Sequence, residues 1–535
     1  MPVPPRDDHD LIVVGAGVNG AAIARDAALR GLRVCLLEAD DVASGTSAWS
    51  SRLVHGGIRY LEHGEVRLVR ESLRERELLL RNAPHLVAPY PLLIPFYAHN
   101  RRAPTTLRAG MLAYDLLSAD KTTPWHRLVG RRGIRRWPGL ATDGFRGGAL
   151  YHDAQAPYAE RLAVENVLSA LESGADVRTH TAVVGLAPGP RTEVRTRAAD
   201  GAEAVLTAPV VVNAAGPSVD AVLQTGGAGA DPGRRLIGGT KGSHLVLDPF
   251  PGAPDTGVHY EAHSDHRAVL VLPWAGRYLI GSTDRYFTGD PTAVRCSDEE
   301  VDYLLAETNR LIPQARLTPG DVLYSYSGVR PLPHAPAAGS EADVSRDHQF
   351  VEHGPGVVVS VVGGKLTTHR ALAEQAVDLV VRRLGTRRRS VTRRVPLPGA
   401  RTADWPAFAR ALRADSPFSA RTTEHLLAVY GVRAQDVLAL AAADPRLAKV
   451  LPGEDEALAA EVVHAFTRER AGSLVDVLHR RTMVGLDRSV GLDAAAAAAQ
   501  VAVEVVGWSD ARADEEVAAH RRYVHRFRPR GLEED

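Results

Sequence analysis

Cysteine is almost missing: only Cys35 and Cys296 occur in 535 residues, far apart and in no CxxC pair. That scarcity excludes an iron–sulfur cluster or structural zinc held by cysteines of this chain. It leaves no metal to expect and suits a reducing compartment. Net charge is missing too, because 64 Lys plus Arg balance 64 Asp plus Glu. A global electrostatic attraction to nucleic acid is thereby removed, and no such partner is expected. The opening Met-Pro-Val-Pro-Pro lacks the apolar core of a secretion signal, so a cytoplasmic location is expected. The longest nearly apolar stretch, 494–508, is mostly alanine and is interrupted by Gln500 and Glu504, so no membrane-spanning helix is expected.

What is present is ordinary globular composition, 45% hydrophobic and 24% charged, in a chain longer than one core organises. Two or three domains are expected. Residues 10–14 form a β-branched run that ends in GAGVNG, followed by a helix over 21–30 and a second strand over 32–38. Gly15, Gly17 and Gly20 permit a tight strand-to-helix turn and close approach of a pyrophosphate, whose charge the helix N-terminus favours. Asn19 belongs to the same turn, and Glu38 at the second strand's end is placed to bind ribose hydroxyls. A lone GxGxxG is weak, but strand, helix, Ala24, Gly31 and the acidic residue all keep their spacing, so a dinucleotide-binding unit is expected.

Further along, 64–80 alternates charge with Leu and Val at helical spacing and reads as a surface helix. A helix over 161–173, a strand near Val177 and a strand run over 205–213 come next, the last ending in Ala214-Ala215-Gly216. Short strand runs at 241–247, 269–274 and 278–282 suggest a more antiparallel layer. A continuous apolar strand over 357–362, the turn Gly363-Gly364 and a helix over 367–383 return to the first sheet. Beyond 398 the chain is rich in Ala, Leu and Glu, with little strand signal. The expected domains are a discontinuous cofactor domain (1–85, 150–235 and 330–385), a substrate domain (86–149 and 236–329) and a helical C-terminal domain (396–535).

The segments SGTSAWSSRLVHGGIRYL (44–61), KGSH (241–244), YSGVRPL (326–332) and GGKLTT (363–368) stand in this order, and SLVDVLHRRT (473–482) comes after them. Together they resemble the FAD-dependent glycerol-3-phosphate dehydrogenase family over nearly the whole chain. The resemblance implies an α/β fold with a glutathione-reductase-like FAD-binding Rossmann domain. To this it adds an antiparallel-sheet substrate domain of the amino-acid-oxidase type and an all-α C-terminal domain. It implies FAD lined by Thr46, Ser47, Ser51 and Leu53, with Val183, Gly216, Gly363, Gly364, Leu366 and Thr367 completing the set. It further implies oxidation of sn-glycerol 3-phosphate to dihydroxyacetone phosphate by hydride transfer to FAD. Electrons then pass to a membrane quinone from a peripheral position on the inner face of the cytoplasmic membrane.

A phosphate dianion needs convergent cations, and Arg59, Arg330 and Lys365 occupy the family's positions in HGGIRY, SGVRP and GGKL. Taken singly each reads as a solvated surface charge; taken jointly they read as a phosphate site, with arginine able to grip oxygens bidentately. Removal of the hydroxyl proton needs a base. His244 is the candidate, because neutral imidazole accepts a proton. Arg330 is grouped with it as catalytic, and Tyr60 orients the substrate. Two positions depart from the family's pattern: His369 stands where a Tyr is usual, and Pro157-Tyr158-Ala159 where an acidic stretch precedes Arg161.

Arg382, Arg383, Arg387, Arg388, Arg389, Arg393 and Arg394 read either as a solvated linker or as a footing on anionic lipid, which the resemblance favours. The tail 520–530 either adds to that surface or is loose. Two rival readings stand beside the dehydrogenase: an oxygen-using glycerol-3-phosphate oxidase, and a redox-silent FAD-binding scaffold. The oligomeric state stays open, a homodimer included.

Overall fold

Four apolar residues, Leu11–Val14, form a strand buried on both faces, as a parallel strand between two covering layers must be. The computed structural model describes residues 8–225, 235–334, 347–354, 358–454 and 456–528, with no account of the side chains of 59, 62 and 63. It sets this strand inside a six-stranded sheet ordered Gln349–His353, Val358–Val362, Val211–Asn213, Leu11–Val14, Val34–Leu37, Asp176–Arg178. All neighbours are parallel except Gln349–His353. Side chains alternate along the strand. Leu11 and Val13 meet the helices Val18–Leu29, Ala159–Glu172 and His369–Arg383, while Ile12 and Val14 meet a small antiparallel sheet on the other face.

That small sheet is Thr181–Ala187, Thr192–Ala198 and Glu203–Ala208. The run expected as one strand over 205–213 is therefore two strands in two sheets. Pro209, which has no N–H to continue a ladder, separates them.

The second large sheet has ten strands, mostly antiparallel. Its strand Phe145–Gln155 pairs with Ala88–Tyr97 as far as Gln155, so the boundary expected at 150 falls inside a continuous strand. Leu53–Val54, expected in the cofactor domain, also pairs with that strand, and the two large sheets thus meet at the segment 44–61. The helix Val66–Asn82 is less of a surface helix than its pattern suggests. Glu75 is buried against Arg370 at 2.6 and 2.7 Å, and Arg76 against Asp153 at 2.6 Å.

Residues 405–527 supply the helical part. One run there, Ala420–Ala443, has the length and apolar composition to cross a membrane, where no membrane-spanning helix was expected. It breaks at Gly431 and buries Leu426, Val429, Tyr430, Val437 and Ala441 in the same core as the rest of the helical part. Buried charge ties this part to the helix Ala159–Glu172 on the six-stranded sheet: Arg161 donates to Glu469 at 2.6 and 2.8 Å and to Val429 O at 3.0 Å. Burial alone would raise the Glu469 carboxyl, but the Arg161 guanidinium outweighs it and holds the group well below the usual range.

A second junction lies at the other end of the first βαβ unit. Asp41 and Asp476 approach His180 closely enough to share a cation, and the cations they share are guanidiniums. Arg481 grips both Asp41 oxygens at 2.8 Å, and Arg480 reaches Asp41 at 2.6 Å and Asp476 at 2.5 Å. The tail does not hang loose as far as Phe527, whose ring packs 5.2 Å from Trp49; residues 529–535 lie outside the described residues.

Candidate active site

The glycine turn folds as its spacing requires. Helix Val18–Leu29 starts so close to the preceding strand that a Cβ at Gly20 would overlap the Gly15 carbonyl oxygen. Gly17 is the N-cap and offers no side-chain cap; instead Ser47 Oγ accepts the Val18 N–H at 2.9 Å. Glu38 accepts N–H bonds from Ala16 at 2.6 Å and Asp40 at 3.0 Å, while burial raises its carboxyl above the ordinary range. The Asn19 amide lies against Gly364, and its Oδ1 is buried with no hydrogen-bond partner among the described residues. Val183 lies two residues past Thr181, whose N–H donates to Glu38 O at 2.8 Å, and Gly216 opens the turn after Val211–Asn213. This cradle fits a dinucleotide: a tight glycine turn, a helix N-terminus, an acidic residue at the strand end and an orphaned buried acceptor.

A cavity of about 530 Å³ opens where the two large sheets meet. Thr46, Ser51, Leu53 and Tyr60 of the segment 44–61 line it, together with Gly364, Lys365, Leu366 and Thr367 of the second turn and Arg330. Two of these segments are tied directly, since Thr367 Oγ1 accepts the His55 N–H at 3.0 Å. Thr46 Oγ1 donates to Val329 O at 2.6 Å, fixing the strand that carries Arg330. The Lys365 ammonium sits 3.8 Å from the centre of the Tyr60 ring. The Arg59 side chain lies outside the described residues. Gly363 adopts φ of +84° and Gly364 of +100°, so the chain reverses here before helix His369–Arg383 begins.

Motifs some eighty residues apart become neighbours because Thr240–Leu247 pairs with Val322–Arg330, Gly242 facing Gly328 and His244 facing Tyr326. The Arg330 guanidinium crosses Gly242, where a Cβ would overlap it. It donates to Asp284 at 2.9 Å, Ser282 Oγ at 2.8 Å and Thr283 O at 3.1 Å. No motif in the sequence pointed to Asp284, Arg267 or His259, which also line the cavity. They come from strands and turns of the antiparallel layer, where only the three-dimensional register brings them to the site.

His244 does not line the cavity. It is buried, 2% exposed, behind Ser51, whose Oγ lies 2.8 Å from Nε2. Its ring stacks on Tyr326 at 5.0 Å, and its Nδ1 has no partner among the described residues. Burial, with the Arg330 and Arg52 guanidiniums adding to it, pushes the imidazole down to about 3, so it is neutral at physiological pH.

The two departures from the family's pattern have visible roles. His369 Nδ1 donates to Leu366 O at 2.7 Å, bracing the Lys365–Thr367 turn, and burial pushes it down to about 4. Pro157 O accepts from Arg52 and from the Trp274 indole, each at 2.9 Å, and Glu160 supplies the acid that grips Arg52 at 2.8 Å.

Residues 10–370 match the model of the FAD dependent oxidoreductase family, and 390–513 that of the C-terminal domain of alpha-glycerophosphate oxidase. The chain is 42% identical to a glycerol-3-phosphate dehydrogenase of Synechocystis sp., covering 96% of each chain. It is 38% identical to a D-erythritol 1-phosphate dehydrogenase of Brucella abortus, over 88% of this chain and 94% of that one. Among solved structures, the glycerol-3-phosphate dehydrogenase of Bacillus halodurans complexed with FAD superposes with a TM-score of 0.79. It is 25% identical and covers 99% of this chain and 97% of its own.

Proposed function

Because the chain belongs to the FAD-dependent glycerol-3-phosphate dehydrogenase family, we propose that its cavity oxidises sn-glycerol 3-phosphate to dihydroxyacetone phosphate and that a membrane quinone takes the electrons. FAD is the cofactor. Bound in the cradle of Gly15, Gly17, Gly20 and Glu38, it would supply the acceptor for the hydride of the carbinol carbon. The observation that carries the reading is the convergence of Arg330 and Lys365 on one cavity with the Gly364 turn and Ser51.

Arg330, clamped by Asp284 and Ser282, presents a guanidinium that needs no reordering to meet a phosphate. Lys365, held over Tyr60, adds a second charge to the same cavity. The proton leaves through Ser51 and His244. With the imidazole proton on Nδ1, Nε2 accepts from Ser51 Oγ, and Ser51 accepts from the substrate hydroxyl. A phosphate paired with Arg330 offsets one of the positive charges that hold His244 down, so substrate binding itself makes the base stronger.

The test is anaerobic addition of sn-glycerol 3-phosphate to the FAD-loaded protein. Visible flavin absorbance is expected to bleach, glycerol is expected to leave it nearly unchanged, and D-erythritol 1-phosphate gauges the tolerated chain length. No bleaching by any polyol phosphate would overturn the reading. Turnover with a quinone analogue against dioxygen separates dehydrogenase from oxidase.

Two further outcomes are expected. Arg330→Gln should weaken apparent affinity for glycerol 3-phosphate by roughly ten- to a hundred-fold, since a charge-assisted contact contributes about 1.5–3 kcal/mol. Measured bleaching against substrate concentration gives the comparison, and an unchanged half-saturation would remove Arg330 from the phosphate site. The second concerns pH. A lowered His244 pKa means the base is already neutral well below pH 7, so acid down to about pH 5 should not switch off bleaching through this group. A loss near pH 6.5 in the parent that vanishes in His244→Gln would contradict it.

A further inference from the structure

Three side chains meet at the N-terminal ends of parallel strands in the six-stranded sheet, the end away from the glycine turn. Val34–Leu37 pairs with Asp176–Arg178, and the register sets Cys35 opposite Asp176. His9 comes from the lead-in to Leu11–Val14, whose path is fixed by the His9 N–H on Thr207 O at 3.0 Å and the Asp10 N–H on Arg33 O at 2.8 Å. A His9 ring nitrogen, the Cys35 sulfur and an Asp176 carboxylate oxygen thereby lie within 4.8 Å of one another.

Ordinary core packing does not account for this group. His9 is 3% exposed, and its Nε2 is buried with no hydrogen-bond partner among the described residues. A buried nitrogen that has lost water without a replacement calls for a ligand. Burial lowers the His9 imidazole, so the ring is neutral and presents a lone pair. Cys35 is fully buried, and its thiol donates to Asp176 Oδ2 at 3.8 Å.

We propose that His9, Cys35 and Asp176 bind a zinc ion, with water in the fourth position. Imidazole, thiolate and carboxylate are the donors zinc takes, whereas calcium and magnesium want oxygen throughout. Bonds of about 2.0–2.3 Å around a tetrahedron set neighbouring donors roughly 3.3–3.6 Å apart. The sulfur and the carboxylate stand near that spacing already, and the histidine closes it by about 1 Å of side-chain rotation. As zinc binds, the Cys35 S–H bond breaks, its electron pair goes to the metal and the proton leaves to solvent past Asp176, whose side chain is 30% exposed.

Arg178 is the rival cation. Its Nε donates to Asp176 Oδ2 at 2.8 Å, while its own Nη2 is buried without a partner among the described residues. The thiol and Arg178 both use Oδ2, which leaves Oδ1 for the metal. The scarcity of cysteine that argues against a zinc finger does not bear on a site that needs one thiolate. Zinc here would tie the entry of the first strand to two of its neighbours in the sheet and shield the sulfur from oxidants. Nothing in this depends on the substrate.

Zinc affinity of the FAD-loaded full chain tests the proposal. Protein stripped with a chelator is titrated with Zn2+ against a chelating dye, and the metal retained is counted by mass spectrometry. About one zinc per chain is expected. His9→Ala, Cys35→Ser and Asp176→Asn should each weaken binding roughly a hundred-fold or more, beyond the ten- to a hundred-fold that loss of an outer-shell partner costs. Cys296→Ser, at the other buried thiol, should leave it unchanged, and Arg178→Gln should tighten it by releasing Asp176. Co2+ gives a second readout: its tetrahedral thiolate complex absorbs at longer wavelength than oxidised flavin, and that band should be present in the parent and absent from Cys35→Ser. An unchanged flavin spectrum certifies each variant as folded; where Cys35→Ser fails that check, His9→Ala and Asp176→Asn decide. A parent that holds no zinc against the dye, parent-like affinity in His9→Ala and Asp176→Asn, or an equal loss in Cys296→Ser would each overturn the proposal.

Discussion

His244→Ala is expected to slow flavin bleaching by glycerol 3-phosphate by roughly 10²–10⁴, the usual loss when a general base is removed. Half-saturation should change far less, because His244 sits behind the cavity wall and not on it. Rapid mixing under anaerobic conditions separates the two quantities. Ser51→Ala is the informative companion. If the hydroxyl at 2.8 Å from Nε2 relays the proton, its loss should approach that of His244→Ala. If Ser51→Ala is nearly silent while His244→Ala is crippled, the imidazole must reach the substrate directly. Parent-like bleaching by His244→Ala would move the base elsewhere, with His259 on the cavity wall as the next group to remove.

The second large effect is expected far from substrate. Asp41→Asn keeps the shape of the side chain but removes the charge facing the Arg480 and Arg481 guanidiniums, all three residues being buried. Breaking a buried pair by neutralising one partner costs about 3–5 kcal/mol, since the other charge is left without compensation. Asp40 O accepts the His180 N–H at 2.6 Å, and the Asp40 N–H donates to Glu38, so the strand end that carries Glu38 should loosen with it. The observable is the temperature at which FAD fluorescence appears on heating, expected to fall by several degrees. Retention of the parent's release temperature and FAD content would show that this junction contributes little. Exposed pairs such as Arg33–Asp10 provide the contrast, because screening leaves them about 1 kcal/mol or less.

How much of this was legible beforehand divides along a physical line. The glycine turn, the first βαβ unit and the helical character after residue 405 were readable, because backbone conformation there is set by nearby residues. The motif segments around Ser51, Arg330 and Lys365 carried recognisable strings, and the fold brings them to one cavity. What could not be read was register. Asp284 clamps Arg330 only because the turn after Arg277–Gly281 comes to lie beside the end of Val322–Arg330, and nothing local to residue 284 announces that. Charge pattern misled in the helix Val66–Asn82 for a related reason. Glu75 and Arg76 sit at positions that look solvated, but each finds an opposite charge from a distant segment and is buried with it. The strand split at Pro209 was visible in principle, since proline lacks the donor a ladder needs.

The Asp41 junction has a bearing on how the protein comes into being. Arg481 leaves the ribosome 440 residues after Asp41. At ordinary elongation speeds of about 5–20 residues per second, the nascent chain spends on the order of 20–90 s with that carboxylate awaiting its partners. During synthesis the nucleotide-binding unit is therefore a draft. A message interrupted before the codons for Arg480 and Arg481 should yield polypeptide that holds FAD poorly, even though every glycine of the cradle has been made.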